Sequence, residues 1–227
     1  MGQIGGPRIV TSGLILVIDA ANIVSYPGAG SAIKDLTLRA DGTINGTITF
    51  SSVGSSSYWN FATVSSANYI SSTISQPYVD CTIIFQPDFT LSNNASLVGL
   101  IAASNDTTNT DKSMRFGTAN GTGPWTIKSS GLNADDWGNT STTYYVNGSP
   151  VINGASLNSG WNILGAYRTN QTTFSASFAY FLGTEGYSGG IRDFQGRIAL
   201  CLMYNRQLSD REHAKNYAAF KGRFGLT

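Results

Sequence analysis

The sequence predicts an all-β sandwich or barrel that ends in one α-helix. Short apolar or alternating segments recur along the 227 residues, and turn-forming residues separate them. Helical periodicity is almost absent before the C-terminal segment. Only 12% of the residues are charged and 26 are glycine, which favours short strands and turns over long solvated helices.

The strands are predicted from segments in which apolar residues are continuous or alternate with polar ones. These segments are residues 14–18, 47–50, 58–64, 79–85, 97–102, 125–128, 142–146, 161–167, 174–182 and 196–204. Residues 198–204 scarcely alternate, which is typical of a central strand that is covered on both faces.

The clearest local signal is a β-hairpin over residues 143–151. Asn147 and Gly148 stand between two strand-like runs. This dipeptide is favoured at the two positive-φ positions of a type I′ turn, so the sequence predicts a two-residue hairpin loop here.

The closing helix is predicted from its N-terminal signal. Ser209 and Glu212 have the spacing of a capping box, and Leu208 stands where a hydrophobic staple would lie. Gly222 is a candidate left-handed C-cap. The apolar side of this helix is expected to dock on the sandwich.

The chain is expected to form a single domain over residues 13–227, preceded by an extended leader over residues 1–12. Residues 104–141 are rich in Asn, Thr, Gly and Asp, and we interpret them as long loops and a polar sheet face. No linker-like tract separates two cores.

Charge and hydropathy exclude several classes of partner. The chain has 14 Lys and Arg against 13 Asp and Glu, so it lacks the field expected of a nucleic-acid or anionic-membrane binder. The apolar run 13–18 is far shorter than the roughly 20 residues of a membrane helix. The first residues lack the pattern of a signal peptide.

Cys81 and Cys201 lie in apolar runs and are predicted to be buried thiols without a disulfide.

Both ends of the chain carry a family resemblance. Residues 13–22, 25–30 and 45–47 resemble the start of laminin-G-like, concanavalin A-like jelly-roll domains, which occur among virion structural proteins of tailed bacteriophages, including those of cyanobacteria. Residues 194–198, 203–209 and 216–225 resemble the last core strand, its exit and the closing helix of these domains.

The resemblance implies a concanavalin A-like jelly-roll sandwich of two antiparallel sheets with one C-terminal α-helix. Its first strand would meet its last near that helix. The family often has an acidic Phe-Asp-Gly-x-Asp-Asp-Tyr segment after the early strands, whereas residues 59–70 contain no carboxylate. A metal-binding or loop-ordering role for those acids does not carry over.

Catalytic patterns are scarce, so the sequence predicts a protein that is not an enzyme. Glycoside hydrolysis needs two suitably spaced carboxylates, but the chain has two glutamates, and Glu212 is assigned to the helix cap. His213 is the single histidine and is interpreted as a solvated helix residue rather than a triad member. Neither cysteine has the surroundings that favour a thiolate.

Sugar binding is the site chemistry that the sequence leaves open. Aromatic residues in polar, glycine-rich surroundings could stack on a pyranose while neighbouring polar groups bind its hydroxyls, and the alternative is that each aromatic fills the core or an interface. The candidate residues are Trp125, Asp136, Trp137 and Tyr187. No cofactor is predicted; calcium is the one alternative, through Asp106, Asp111, Asp135 or Asp136, without EF-hand spacing.

The leading functional hypothesis is a phage virion protein that decorates the outer capsid surface, made in the host cytoplasm. Its partners would be the major capsid protein or other virion proteins, contacted by Pro7, Arg8, Ile9 and Val10 of the leader. The alternative is an adhesin on a tail or fibre that binds host-surface glycans. A third hypothesis is a cellular laminin-G-like adhesion module. Nucleic acid and membrane are not expected as partners, and a homo-oligomer is left open.

Overall fold

The structure is a computed structural model. It describes residues 8–63, 65, 67–75, 80–88, 98–104, 113–117, 126–127, 142–152, 154–168, 178–184 and 194–227. Within these ranges no helix is long and apolar enough to cross a membrane.

The described residues form fifteen β-strands and one α-helix. The strands are β1 (Leu14–Asp19), β2 (Ala32–Ile33), β3 (Gly42–Asn45), β4 (Thr49–Ser51), β5 (Tyr58–Phe61), β6 (Tyr69–Ile74), β7 (Asp80–Pro87), β8 (Val98–Ser104), β9 (Ser113–Gly117), β10 (Thr126–Ile127), β11 (Thr142–Val146), β12 (Ser149–Val151), β13 (Asn162–Arg168), β14 (Phe178–Leu182) and β15 (Gly196–Tyr204). The helix is α1 (Asp210–Phe220).

The strands belong to two antiparallel sheets. In the described residues the larger sheet has eight strands, in the order β12-β11-β13-β7-β15-β5-β4, with β1 also paired to β15. The smaller sheet has seven, in the order β10-β9-β8-β14-β6-β3-β2. The predicted all-β sandwich of two antiparallel sheets with one C-terminal helix is confirmed.

Strand β15 is the centre of the larger sheet. One of its edges pairs with β7 along the whole strand, and the other is shared by β5 and β1. The register shifts between Ile198 and Leu200, at the point where β15 changes partner from β5 to β1. All residues from Ile198 to Tyr204 are buried, as the lack of alternation predicted.

The main core lies between the two sheets. It includes Trp59 and Phe61 of β5 and Phe85 of β7, none of which is exposed to solvent. Cys81 and Cys201 belong to this core as free thiols on adjacent strands, as predicted. Burial raises the pKa of both thiols, which disfavours the reactive thiolate.

A second core lies on the outer face of the larger sheet, the face turned away from the smaller sheet. There α1 and the residues after it cover Ile84, Ile163 and Leu202. Buried polar groups fix the helix at this position: the Asn216 amide donates to the Thr82 and Tyr204 hydroxyls at 3.2 and 3.0 Å.

His213 is buried, so the prediction of a solvated helix residue is wrong. Its Nε2 lies 3.2 Å from an Asp80 carboxylate oxygen, and its ring stacks on Tyr145 with 3.7 Å between centroids. Gly165 lies against the same ring, where a Cβ would come within 2.5 Å of Nδ1. Burial raises the pKa of Asp80, and the contact with His213 opposes that shift. The sequence pattern of the helix did not reveal this partner because Asp80 is far away in the chain.

The predicted capping box is confirmed at the start of α1. The Ser209 hydroxyl accepts from the Glu212 backbone N–H, and the Glu212 carboxylate accepts from the Ser209 N–H. The predicted C-cap at Gly222 is wrong. The chain continues after Phe220 as a 3₁₀ helix over Lys221–Phe224, and the left-handed residue is Gly225, with φ of 65°.

The predicted hairpin is also confirmed. Strands β11 and β12 pair across Asn147 and Gly148, whose φ values are 51° and 79°. The Asn147 side chain accepts from the Ile163 N–H at 3.0 Å, which joins the turn to the start of β13.

Candidate functional site

The four residues predicted to bind sugar, Trp125, Asp136, Trp137 and Tyr187, lie outside the described residues. The candidate calcium ligands Asp106, Asp111, Asp135 and Asp136 lie outside them as well. Within the described ranges there is no group of three His, Cys, Asp or Glu residues that could hold a metal ion. These assignments stay predictions.

The predicted capsid-contact residues of the leader are described in part. Pro7 lies outside the described residues, whereas Arg8 is exposed and Ile9 packs against the second core. Val10 is buried: its N–H donates to Asn216 at 2.9 Å, and its carbonyl accepts from the Tyr204 hydroxyl at 3.1 Å. Val10 therefore contributes to the docking of α1 in its own domain.

The part of the outer face that α1 leaves uncovered contains a polar groove, which we call the outer groove. Its volume is about 520 Å³, within the range typical of ligand pockets. It lies where β5, β7 and the start of β15 are neighbours, and the loop before β13 forms one wall. Its lining includes Asn60, Gln86, Asp88, Ser159, Gly196 and Arg197.

Strand alternation places three polar side chains side by side in this groove. Trp59, Phe61, Phe85 and Ile198 point into the main core, so their neighbours Asn60, Gln86 and Arg197 point outward. The register pairs Arg197 with Asn60 on one side and with Gln86 on the other. A guanidinium group thus lies between two amides on adjacent strands.

Contacts within the groove hold Arg197 in place. Its guanidinium carbon lies 4.9 Å from the centroid of the Tyr58 ring, and Nη1 donates to the Gln86 amide oxygen at 3.1 Å. The Gln86 amide nitrogen in turn donates to the Ser159 carbonyl at 3.2 Å. Among the described residues no carboxylate forms an ion pair with Arg197, and its side chain is exposed.

Gly196 forms the closely packed end of the groove. Its φ is 142°, and a Cβ at this position would lie 2.3 Å from the Gln86 carbonyl oxygen and 2.7 Å from the Phe194 ring. Only glycine fits this close approach of β15 and β7.

A second pocket lies on the same face, beside the outer groove, and we call it the aromatic pocket. Its volume is about 370 Å³, and its walls include Trp161, Tyr217, Phe224, Asn147 and Asn158. The half-buried Trp161 ring has its centroid 5.8 Å from that of Tyr58 and 4.8 Å from that of Phe224. Tyr217 closes the pocket by donating to the Thr227 carbonyl at 2.7 Å.

This arrangement is suited to hydrogen bonding with a polyhydroxylated ligand. Amides offer both donors and acceptors, and a guanidinium offers donors in a planar fork. The sequence places Asn60 between the apolar residues Trp59 and Phe61, an alternation that is the signal for an outward-facing position. It did not show that β5, β7 and β15 are neighbours, so it could not bring the three side chains into one site.

No family model matches the chain, and no curated protein matches it. Several solved structures match the chain in fold. Trypanosoma rangeli sialidase in complex with sialic acid superposes with a TM-score of 0.57 at 12% sequence identity, over 95% of this chain and 34% of the sialidase chain. The same sialidase with the inhibitor DANA gives a TM-score of 0.55 at 13% identity, over 93% and 33%.

A further match is domain 4 of AbnA, a GH43 extracellular arabinanase from Geobacillus stearothermophilus, in complex with arabinotriose. Its TM-score is 0.46 at 15% identity, over 92% of this chain and 98% of that domain. The sialidase matches are consistent with the jelly-roll sandwich that the resemblance implies, and its virion part stays a prediction.

The prediction that the protein is not an enzyme is contradicted by the sialidase matches. This chain spans about one third of the length of the sialidase chains, so its fold occurs within enzymes. The shortage of paired carboxylates counted against catalysis by this chain in isolation. It says nothing about a longer protein in which such a fold is one part. At this identity the likeness establishes the fold.

Proposed function

We propose that this chain is a glycan-binding β-sandwich domain and that the outer groove binds the sugar. The observation that carries the proposal is the row of Asn60, Arg197 and Gln86 on three adjacent strands, open to solvent on one face of the sheet. Neighbouring hydroxyls of a sugar ring need donors and acceptors at several closely spaced positions, and such a row supplies them.

Two features of the groove support a binding role. First, Arg197 is already fixed by Tyr58 and Gln86, so its ordering on binding costs less entropy than that of a mobile arginine. Second, the groove rests on the most buried strands of the larger sheet, which gives the polar row a rigid support. The sialidase match, solved with sialic acid bound, adds a reason to include acidic sugars among the ligands tested.

The setting proposed for this binding is a bacteriophage tail or fibre, where the domain would recognise glycans of the host surface. This part rests on the family resemblance of the two chain ends. Decoration of the capsid head is the other virion role that the resemblance implies, and no observation in the described residues favours it over glycan binding.

The proposal is tested on a glycan array that includes neutral and sialylated oligosaccharides. We expect the protein to bind at least one glycan class and Arg197→Ala to weaken that binding about tenfold or more, because the substitution removes charged hydrogen bonds. Arg211→Ala is the matched control, since Arg211 is an exposed arginine on α1 away from the groove. No binding to any glycan, or equal binding by the Arg197→Ala variant, would overturn the proposal.

Trp137→Ala separates the outer groove from the site predicted from the sequence. If the groove binds the sugar, Trp137→Ala binds like the unmodified protein while Asn60→Ala binds more weakly. The reverse result would assign the site to the aromatic residues of the polar region 104–141.

A further inference from the structure

The outer groove and the aromatic pocket lie next to each other on the outer face, and one short segment separates them. In this segment Ser159 lines the groove, whereas Asn158, Gly160 and Trp161 line the aromatic pocket. Residues 158–160 are exposed, and Trp161 is half-buried. The boundary between the two pockets is therefore a wall only a few residues wide.

Aromatic rings run beneath this wall without a gap. Trp161 contacts Tyr58 on the groove side and Phe224 on the side of the aromatic pocket. Arg197 covers the Tyr58 ring and the Lys221 ammonium lies 5.8 Å from the Tyr217 centroid, so Trp161 is the aromatic surface offered to a ligand in the second pocket. A flat aromatic wall of this kind can pack against the apolar face of a sugar ring.

The aromatic pocket also has its own polar groups. The Asn147 side-chain oxygen accepts from the Ile163 N–H, and its amide nitrogen has no partner among the described residues. Asn158 is exposed; its backbone groups bond to the Asn162 side chain, while its own side chain has no bond within the described ranges. Two amides beside an aromatic wall repeat the kind of chemistry found in the outer groove.

We infer that the ligand is an extended oligosaccharide that occupies both pockets, with one sugar unit on the Asn60, Arg197 and Gln86 row and a following unit against Trp161. This inference rests on the proposed function of the outer groove. One sugar ring is about the size of one aromatic ring, so a monosaccharide fills one pocket and leaves the other empty. Affinity is thus expected to rise with chain length until both pockets are filled.

The test measures affinity against chain length. The probes are series of one, two, three and five units of α1,5-linked arabinose, β1,4-linked glucose and α2,8-linked N-acetylneuraminic acid, titrated by calorimetry into the full chain. In the series that binds, we expect the trisaccharide to bind at least about fivefold more tightly than the monosaccharide, corresponding to one added hydrogen-bonding subsite.

Two substitutions assign the gain to the second pocket. Asn158→Ala removes only the outward side chain, so the fold is retained, and it should abolish most of the gain from one to three units while monosaccharide affinity stays unchanged. Trp161→Phe keeps the packing against Tyr58 and Phe224 and should reduce the gain in part. Asn60→Ala is the contrasting variant and should weaken mono- and trisaccharide by the same factor.

The outcomes separate the inference from the proposed function. If no series binds, the proposed function fails and the inference falls with it. If a series binds with equal affinity for one and three units, or if Asn158→Ala leaves the length dependence intact, the groove binds sugar and the two-pocket inference is wrong.

Discussion

The outer face of the larger sheet has two halves, and strands β7 and β15 contribute to both. One half is covered by α1, and the other is open to solvent. In the half beneath α1 the outward side chains of β7, β13 and β15 include Ile84, Ile163 and Leu202, and all are buried. In the other half β7 and β15, joined by β5, present Gln86, Arg197 and Asn60 to solvent. The closed half fixes α1 to the larger sheet, and the open half carries the candidate site.

The difference shows how one surface can serve both stability and binding. Apolar side chains favour coverage by a helix because their burial removes apolar area from water. Buried polar groups beneath α1 bond to one another, as with the Asn216 amide and the Tyr204 hydroxyl, because an unpaired buried group is costly. In the open half the polar groups keep their contact with water and remain available to a ligand.

The largest effect is expected from His213→Ala in the closed half. The substitution removes the side-chain partner of the buried Asp80 carboxylate, which also accepts from the Leu208 N–H, and the ring that stacks on Tyr145. Breaking one side of a buried pair costs about 3–5 kcal/mol, so urea denaturation should show a loss of that order. Arg211→Ala, at an exposed position of the same helix, serves as the control. Equal stability of the two variants would contradict the structural role of the pair.

A smaller effect, dependent on pH, is expected at the start of the helix. Glu212 pairs with Arg206 through contacts of 2.9 and 2.5 Å and caps the Ser209 N–H, and these bonds lower the pKa of Glu212 to about 2 from its ordinary 4.5. The contribution to stability is therefore complete above pH 4.5 and is lost as the pH falls towards 2.

Glu212→Gln measures that contribution directly. Because the pair is partly exposed, the difference between the unmodified protein and the variant should be at most about 1 kcal/mol at neutral pH. It should shrink as the pH is lowered to about 2 in a series of urea titrations. A difference that is constant across this range would show that the carboxylate charge does not stabilise the cap.

The smallest effect on stability is expected in the open half. Asn60→Ala removes an outward side chain of β5 without disturbing the buried Trp59 and Phe61 on either side. The free energy of unfolding should change by no more than about 0.5 kcal/mol, while binding at the groove weakens. A loss of stability comparable to that of His213→Ala would mean that the two halves are not distinct.

Much of the fold could be predicted because the relevant signals are local. The hairpin at Asn147 and Gly148 and the capping box of Ser209 and Glu212 depend on residues that are neighbours in the chain. The start of the main strands was predicted to within a few residues in most cases. Strand β6, Tyr69–Ile74, was missed because its serines and threonine weaken the apolar signal, although its pairing with β3 and β14 holds it in the smaller sheet.

The candidate site was not predicted because it depends on contacts between distant segments. The sequence drew attention to tryptophans in polar surroundings, whereas the outer groove combines residues 60, 86 and 197 from three strands. The C-cap at Gly222 was wrong for a related reason. The chain after Phe220 tightens into a 3₁₀ helix that places Phe224 in the second core, and Gly225 then reverses its direction.

Local sequence was enough to specify the all-β class, the hairpin, the helix cap and the burial of both cysteines, since each depends on short spacing or on the character of one run of residues. Packing between distant segments, in contrast, selected which outward-facing residues are covered and which stay open. It brought His213 to Asp80, and it placed Arg197 between Asn60 and Gln86. Strand pairing sets these distances, and the order in which strands pair is not encoded in the neighbours of any one residue.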